Sequence, residues 1–339
     1  MEVSTRNEFT RPAIWSVAHA EAPEVITSAC IDEQLAETFD RCGIRPGLLE
    51  SLAGIVERRW WPEEVTFDEA AAMAGTRALE LADLSPSDVD MLISTSVCKH
   101  HLEPSVACTV HHRLGLGTEC VNFDLGNACL GFVNAMEIAA MAIETGHART
   151  VLIVDGEGSR QPQIATIERL RQPSATAEDV FAQFASLTLG SGGAAMVMGG
   201  PRDGGHRFLG GISRAATIHH DLCVGDLDAM RTDTAGLLEK GLALAREAFD
   251  AALAAGWEWE TCDRYVMHQV SAVHTRKLCE LLGVDMSLVP LTYPNFGNMG
   301  PAAVPYTLST VADQITPGER VLLMGIGSGL NCAAVELIW

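Results

Sequence analysis

One order of segments is written twice in this chain, and that repetition narrows the folds open to it more than any other feature. In the first half, an Ala- and Glu-rich helical stretch from Phe67 to Leu81 precedes the apolar run Asp88 to Thr95, which reads as a buried strand. A helix from about Ser105 to Leu114 and a strand from about Val121 to Leu125 come next. An apolar helix opened by Cys129 and stopped near Gly146, then the strand Thr150 to Val154, complete the set. The second half repeats it with a helix from about Ala235 to Ala255, the strand Tyr265 to His268, and a helix from Ser271 to Leu282 ended by Gly283. A short strand near Leu288 to Thr292, a helix from about Met299 and the strand Arg320 to Met324 follow. Each half closes on a strand of small residues, Gly193 to Met198 and Cys332 to Leu337. The period is far too long for a solenoid, so two fused copies of one α/β domain are expected, over residues 1–205 and 206–339. Alternation of helices with strands predicts a mostly parallel sheet. Residues from about Glu157 to Leu187 have no counterpart in the second half. Their charged, helical character (Glu168, Arg169, Glu178, Asp179) reads either as a cap bordering a substrate channel or as a solvated excursion.

Composition removes whole classes of function. With 47% hydrophobic and 20% charged residues in 339, the chain can bury a sizeable core. Its net charge of -21 disfavours nucleic acid, whose phosphates need clustered Lys and Arg. Met1 to Arg6 shows no basic segment followed by an apolar one, and no run of about 18 apolar residues reads as a membrane span, so a cytoplasmic enzyme is expected. None of the ten cysteines is spaced C-x-x-C, which argues for reduced thiols over a zinc ribbon or redox pair. The pairs His100-His101, His111-His112 and His219-His220 point in different directions on any regular element, so no metal is expected.

Among those cysteines Cys129 stands apart, because it lies where the strand ending near Leu125 breaks into an almost wholly apolar helix. Unpaired N–H groups and the dipole at a helix N-terminus favour an anion, so a reactive thiolate is expected there. A small buried hydrophobe is the alternative. In the duplicated register Asn298 lies at the mouth of the corresponding helix, and a pseudo-twofold axis would bring it near Cys129.

Taken together, the Cys129 elbow (Asn122 to Cys129), the segment Met267-His268-Gln269, the run Phe296 to Ala303, the stretch Gly54 to Arg59 and the terminal loop Gly325 to Gly329 resemble the thiolase superfamily, in its ketoacyl synthase III branch. The run Cys98 to Ala107 narrows the resemblance to the head-to-head acyl-CoA condensing enzymes of that branch. The resemblance spans nearly the whole chain. It implies a thiolase fold, duplicated α/β halves in a five-layer αβαβα arrangement. It implies catalysis by Cys129, His268 and Asn298, without metal or cofactor, on acyl-CoA substrates, in a homodimer whose Glu103 reaches the neighbouring active site. The implied product is a 2-alkyl-3-keto acid that downstream enzymes convert to an olefin or related hydrocarbon or β-lactone.

The chemistry gives each residue a task. A thioester on Cys129 holds the electrophilic acyl group on a good leaving group. Without decarboxylation the carbanion must come from removal of an α-proton, and Glu103 is a carboxylate suited to that. Read alone, Glu103 is equally a first-turn acid for the helix after Pro104. His268 and Asn298 can donate hydrogen bonds to a developing enolate, or be a core histidine and a helix cap. Backbone N–H groups of Cys129 and Ser328 would form a second oxyanion hole, where glycines allow close approach. Arg58, Arg59 and Trp60 follow a pattern that in the wider branch lies by the CoA entrance, where guanidinium can pair with phosphate. His268-Gln269-Val270-Ser271-Ala272-Val273 lacks the Asn and Arg usual after His-Gln in ketoacyl synthases, which favours CoA over carrier protein. A decarboxylating synthase using malonyl units, a hydroxymethylglutaryl-CoA synthase, and a silent partner subunit of another condensing chain are the competing readings.

Overall fold

Apolar residues on both sides of nearly every central strand require cover on both faces, and the architecture supplies it. The computed structural model describes residues 8–339, so Met1 to Arg6, read above for a signal, lie outside it. The strands of the main sheet are β1 (Ala13–Glu21), β2 (Met91–Ser94), β3 (Val121–Asp124), β4 (Thr150–Glu157), β5 (Gly192–Gly199), β6 (His206–Ala215), β7 (Arg264–Met267), β8 (Arg320–Gly327) and β9 (Asn331–Ile338). Helices of nine residues or more are α1 (Phe67–Leu81), α2 (Val106–Leu114), α3 (Gly131–Glu144), α4 (Arg160–Leu170), α5 (Ala177–Leu187), α6 (Thr234–Ala254), α7 (Ala272–Leu282) and α8 (Ala303–Val311).

Hydrogen bonds connect the nine strands in the order β7-β8-β9-β6-β1-β5-β4-β2-β3. A seam of two residue pairs, Ala13 with Arg207 and Ile14 with His206, joins β1 to β6. Outward from it the two wings match. Strand β1 is antiparallel to β5, β5 to β4, and β4 is parallel to β2; β6 is antiparallel to β9, β9 to β8, and β8 is parallel to β7. The duplicated order is thus visible in the pairing. The mostly parallel sheet is not: only β2 with β3, β2 with β4 and β7 with β8 are parallel. A parallel neighbour needs a long crossover, whereas the three residues Ser328 to Leu330 between β8 and β9 permit only an antiparallel return.

Strand alternation then builds the layers. Val151, Ile153, Met196 and Met198 from one wing, and Val321, Leu323, Val335 and Leu337 from the other, enclose α3 (Phe132, Met136) and α8 (Val304, Leu308). The opposite side chains Leu152, Val154, Ala195 and Val197 carry α1 and α2. On the other wing Leu322, Met324 and Ala334 pack with Phe249 of α6 and Leu282 of α7. The order is therefore helix, sheet, helix, sheet, helix, as the resemblance implied.

Three boundaries differ from expectation. The central helix opens at Gly131, two residues after Cys129, and α8 opens at Ala303 after a 3-10 turn over Gly300–Ala302. No strand forms at 288–292; a 3-10 turn ends at Leu288 and a helical turn begins at Tyr293. Pro290 brings no N–H to a ladder, which leaves that wing without a partner to β3. The unmatched stretch folds as α4 and α5, whose Ile167, Leu170, Val180 and Leu187 share a core with Ile31, Leu35 and Phe39. Its inner face is packed into this core, while its outer face, with Phe181 and the turn at 171–174, remains exposed.

Helix α1 lies directly on the sheet at Gly156, where an added Cβ would fall 2.0 Å from the Phe67 carbonyl oxygen and 2.8 Å from the Ala71 nitrogen. Gly156→Ala is expected to destabilise the fold by about 1–3 kcal/mol, read as a lowered denaturant midpoint at unchanged slope. An unaltered midpoint would contradict this packing.

Candidate active site

Two of the parallel strand pairs, β2 with β4 and β7 with β8, send their C-terminal ends to one cavity of about 540 Å³. Strand ends are the usual ligand position in α/β sheets, and the volume suits a small-molecule site. Val97 and Cys98 follow β2, Glu157 ends β4, His268 follows β7, and Ser328 follows β8. Cys129 and Asn298, from the approaches to α3 and α8, complete the polar end. The rest of the wall is mostly apolar, with Leu237, Leu242 and Phe249 from α6 and Leu278 and Leu282 from α7, interrupted by Lys99, Asp226, Thr232, His274 and Thr275.

Cys129 is presented by a strained elbow. Ala128 holds φ at +45°, a left-handed conformation that costs a non-glycine residue on the order of 1 kcal/mol. The turn is closed by the Leu130 N–H on the Asn127 carbonyl (3.0 Å) and the Gly131 N–H on that of Ala128 (3.1 Å). The Asn127 side chain donates to Asn134 Oδ1 at 2.7 Å and accepts from Asn331 Nδ2 at 3.1 Å. The end of β8 lies against this elbow: a Cβ on Gly327 would sit 3.1 Å from the Asn127 carbonyl oxygen and 3.5 Å from the Cys129 nitrogen. The Ser328 loop and the Cys129 backbone are thus neighbours, as the double N–H site requires.

Electrostatics at Cys129 run against the sequence expectation. Burial, reinforced by the nearby Glu157 carboxyl, pushes the thiol up to about 12. The resting group is a thiol, because loss of solvent and adjacent acids outweigh the helix end. Its backbone lies ahead of the helix rather than within the first turn.

Asn298 is tied on both sides of its peptide. Its N–H donates to the Thr188 carbonyl at 2.9 Å, and its carbonyl accepts from the Gly190 N–H at 2.8 Å. The tail of the α4–α5 insertion therefore fixes this residue. Asn298 Oδ1 accepts from the Gly300 N–H at 3.0 Å and lies 3.0 Å from His268 Nε2. With that oxygen held as an acceptor, His268 donates through Nε2 and the Asn298 NH₂ remains a donor for a guest. Burial lowers the His268 pKa, keeping the ring neutral. Both alternatives from sequence are accommodated: Asn298 caps a turn and His268 is satisfied, yet both line the cavity.

Glu103 does not line the cavity of its own chain; it is exposed, on the segment between β2 and α2. It is not the first-turn acid either. Ser105 Oγ caps α2 by accepting from the Cys108 N–H, and Asp124 accepts from the N–H groups of Val106 (3.1 Å) and Ala107 (2.8 Å).

Arg58, Arg59 and Trp60 are engaged inside the protein, not at a CoA entrance. Arg58 is fully buried, its guanidinium donating to Ser28 Oγ at 3.1 Å and the Leu187 carbonyl at 3.2 Å. Arg59 pairs with Glu21 (3.1 Å) and Glu57 (2.8 Å), and Trp60 Nε1 donates to Gln163 Oε1 at 2.5 Å. None lines the cavity, because β-pairing of 57–60 with 24–27 turns them into the fold.

Glu157 was missed as a site residue. The signal was present, in that Asp155 and Glu157 end an otherwise apolar strand at the edge where α/β sheets bind ligands.

Iodoacetamide labelling of Cys129, followed by peptide mass spectrometry, should accelerate about tenfold per pH unit from about pH 7 to pH 10 with no plateau. A plateau near neutral pH would reveal a stabilised thiolate and overturn the thiol assignment.

Comparison with known proteins supplies the family. Residues 253–339 match the model for the 3-oxoacyl-[acyl-carrier-protein] synthase III C terminal, and residues 123–161 match that for 3-oxoacyl-[acyl-carrier-protein] synthase III. The chain is 41% identical over 336 residues to the acyl-CoA:acyl-CoA alkyltransferase of Xanthomonas campestris, covering 98% of this chain and 99% of that one. A Shewanella oneidensis protein of the same name is 31% identical, with 98% and 100% covered. Cerulenin-bound OleA of Xanthomonas campestris superimposes with a TM-score of 0.97 at 40% identity, covering all of both chains. A variant of that protein with bound lauric acid and lauroyl-CoA gives a TM-score of 0.95 at 41% identity, with 98% and 100% covered. With its thiolase-type layering and near-complete alignment to these relatives, the chain belongs to the OleA family of acyl-CoA:acyl-CoA alkyltransferases, within the ketoacyl synthase III branch.

Proposed function

We propose that this protein joins two fatty acyl-CoA molecules head to head, without decarboxylation, and releases a 2-alkyl-3-keto acid. The observation that carries the reading is a single cavity holding the Cys129 thiol, the His268–Asn298 pair and a long apolar wall. A relative's structure holds lauroyl-CoA.

The Cys129 sulfur attacks the first thioester, and its proton passes to the departing CoA thiolate, leaving an acyl-Cys129 thioester. Thiol exchanges for thiol, so the step has no net proton uptake, and the Cys129 proton leaves its sulfur as that sulfur attacks. N–H groups of Cys129 and Ser328 receive the oxyanion of that acyl carbonyl. The second acyl-CoA places its thioester carbonyl against the Asn298 NH₂, and the His268 Nε2–H, which donates to Asn298 Oδ1 at rest, is shared with that carbonyl oxygen as enolate charge develops. Removal of its α-proton gives the carbanion that attacks acyl-Cys129; the carbon–sulfur bond breaks, and the expelled Cys129 thiolate takes up the abstracted proton, restoring the thiol. Acyl-CoA is substrate here, and the residues call for no metal.

Glu103 of a second copy is the base in this reading, which makes a homodimer the working unit. Its support is positional. Glu103 precedes Cys129 by 26 residues, and the glutamate and cysteine substituted in structures of Xanthomonas campestris OleA are separated by the same 26. It also stands exposed beside Leu102, which is fully exposed in the isolated chain, an apolar side chain suited to a subunit contact. The halves 1–205 and 206–339 then divide the labour, the first holding the acyl group and the second the enolate carbonyl.

Cys129→Ala should abolish covalent acylation while leaving the fold intact, and an intact mass still showing bound acyl would sink the nucleophile assignment. For Glu103→Ala, acylation should persist while condensation falls by about 100- to 10,000-fold, the usual worth of a positioned base. Asn298→Ala should cost about 100- to 1,000-fold in kcat, the scale of one lost oxyanion donor. Undiminished product from either variant refutes that residue's role.

A further inference from the structure

The proposed cycle ends with hydrolysis of a 3-keto thioester, and neither Cys129, His268 nor Asn298 is free to activate the water. Glu157 is a carboxyl of the same cavity to which the condensation assigns no step. It ends β4 at 6% exposure and lines the cavity together with Cys129, His268 and Asn298. Its Oε1 accepts from the Val97 N–H at 2.6 Å, which fixes the side chain. A Cβ built on Gly300 falls 3.8 Å from its Oε2 and carboxyl carbon, and the Gly300 N–H is the group that holds Asn298 Oδ1. The carboxyl is therefore beside the turn that presents the donors for the thioester carbonyl.

No Lys or Arg among the described residues pairs with it, and the acidic neighbour on the same strand face, Asp155, is buried and hydrogen-bonded to Thr95 Oγ1. A carboxyl at this depth with no cationic partner costs stability, and its hydrogen bonds from the segment after β2 offset only part of the loss of solvent. Burial raises the pKa of both acids. The Cys98 and Cys129 thiols, also raised by burial, face it from the segment after β2 and from the elbow before α3.

We propose that Glu157 is the general base for product hydrolysis, taking a proton from a water molecule that attacks the thioester carbon held against His268 and Asn298. The water oxygen bonds to that carbon, the carbon–sulfur bond to CoA breaks, and the departing CoA thiolate takes the proton from Glu157. The 3-keto acid and CoA leave together, with no other reactant. This rests on the condensation proposed above.

The test supplies lauroyl-CoA alone to the full-length protein and to Glu157→Gln, and measures the ratio of 3-keto acyl-CoA to free 3-keto acid by mass spectrometry of quenched samples. The ratio is internal to each sample, so a general loss of active protein does not move it. Glu157→Gln should raise it at least tenfold, with acylation of Cys129 retained, and Glu157→Asp should restore it part of the way. An unchanged ratio in Glu157→Gln overturns the assignment, as does an unchanged ratio in Glu157→Ala should the glutamine variant fail to fold. Absence of any condensed product from the unaltered protein would instead refute the condensation.

Discussion

Everything in this molecule depends on two helices, α3 and α8, being shared by two sheet wings. Neither wing could bury its inner face alone, and the apolar sides of Val151, Ile153, Val321 and Leu323 close on the same helical pair. Burial of that apolar area is the dominant driving force, at roughly 25 cal/mol per Å² removed from water. Because the wings repeat one another, both helices are approached from the same cavity, one by way of Cys129 and the other by way of Asn298. The site is a product of the duplication, assembled where the core is most constrained.

That depth sets the chemistry. A cavity lined mostly with apolar side chains, with the buried Glu157 at its polar end, favours neutral groups at rest: Cys129 as thiol, His268 as imidazole. In the proposed reaction charge develops where donors already stand, at the Asn298 amide, the His268 ring and the N–H groups around Cys129 and Ser328. Fixed donors in a water-poor site stabilise such charge without reorganising, which is the largest lever an acyl-transfer site possesses. The insertion contributes to this rigidity, since Thr188 and Gly190 clamp the Asn298 peptide. A Cβ at Gly190 would meet the Phe296 carbonyl at 1.7 Å, so only glycine lets that clamp close.

The sequence was most legible where periodicity and burial coincide. Helix α1 falls on Phe67–Leu81 as read, and the duplicated order survives as matching strand directions. What it concealed was set by chain connectivity and three-dimensional neighbours. Short returns such as Ser328 to Leu330 made most of the sheet antiparallel, and Pro290 removed a strand. At the site, residue types announced Cys129, His268 and Asn298, and the structure brings all three to one cavity. The ionisation of Cys129 was misjudged because the helix end is a local property, whereas burial and the Glu157 charge are not. Arg58, Arg59 and Trp60 were misjudged for the same reason, since their partners Ser28, Glu21 and Gln163 lie distant in sequence.

The central claim is that the carbanion arises by deprotonation rather than by loss of carbon dioxide. Incubating the purified chain with a single fatty acyl-CoA, with and without isotopically labelled malonyl-CoA, and identifying products by mass spectrometry tests it directly. The account predicts a 2-alkyl-3-keto acid containing the carbons of two acyl chains from acyl-CoA alone, with no label incorporated and no carbon dioxide released from malonyl-CoA. A product that forms only when malonyl-CoA is present, two carbons longer than the acyl chain and accompanied by labelled carbon dioxide, would contradict it.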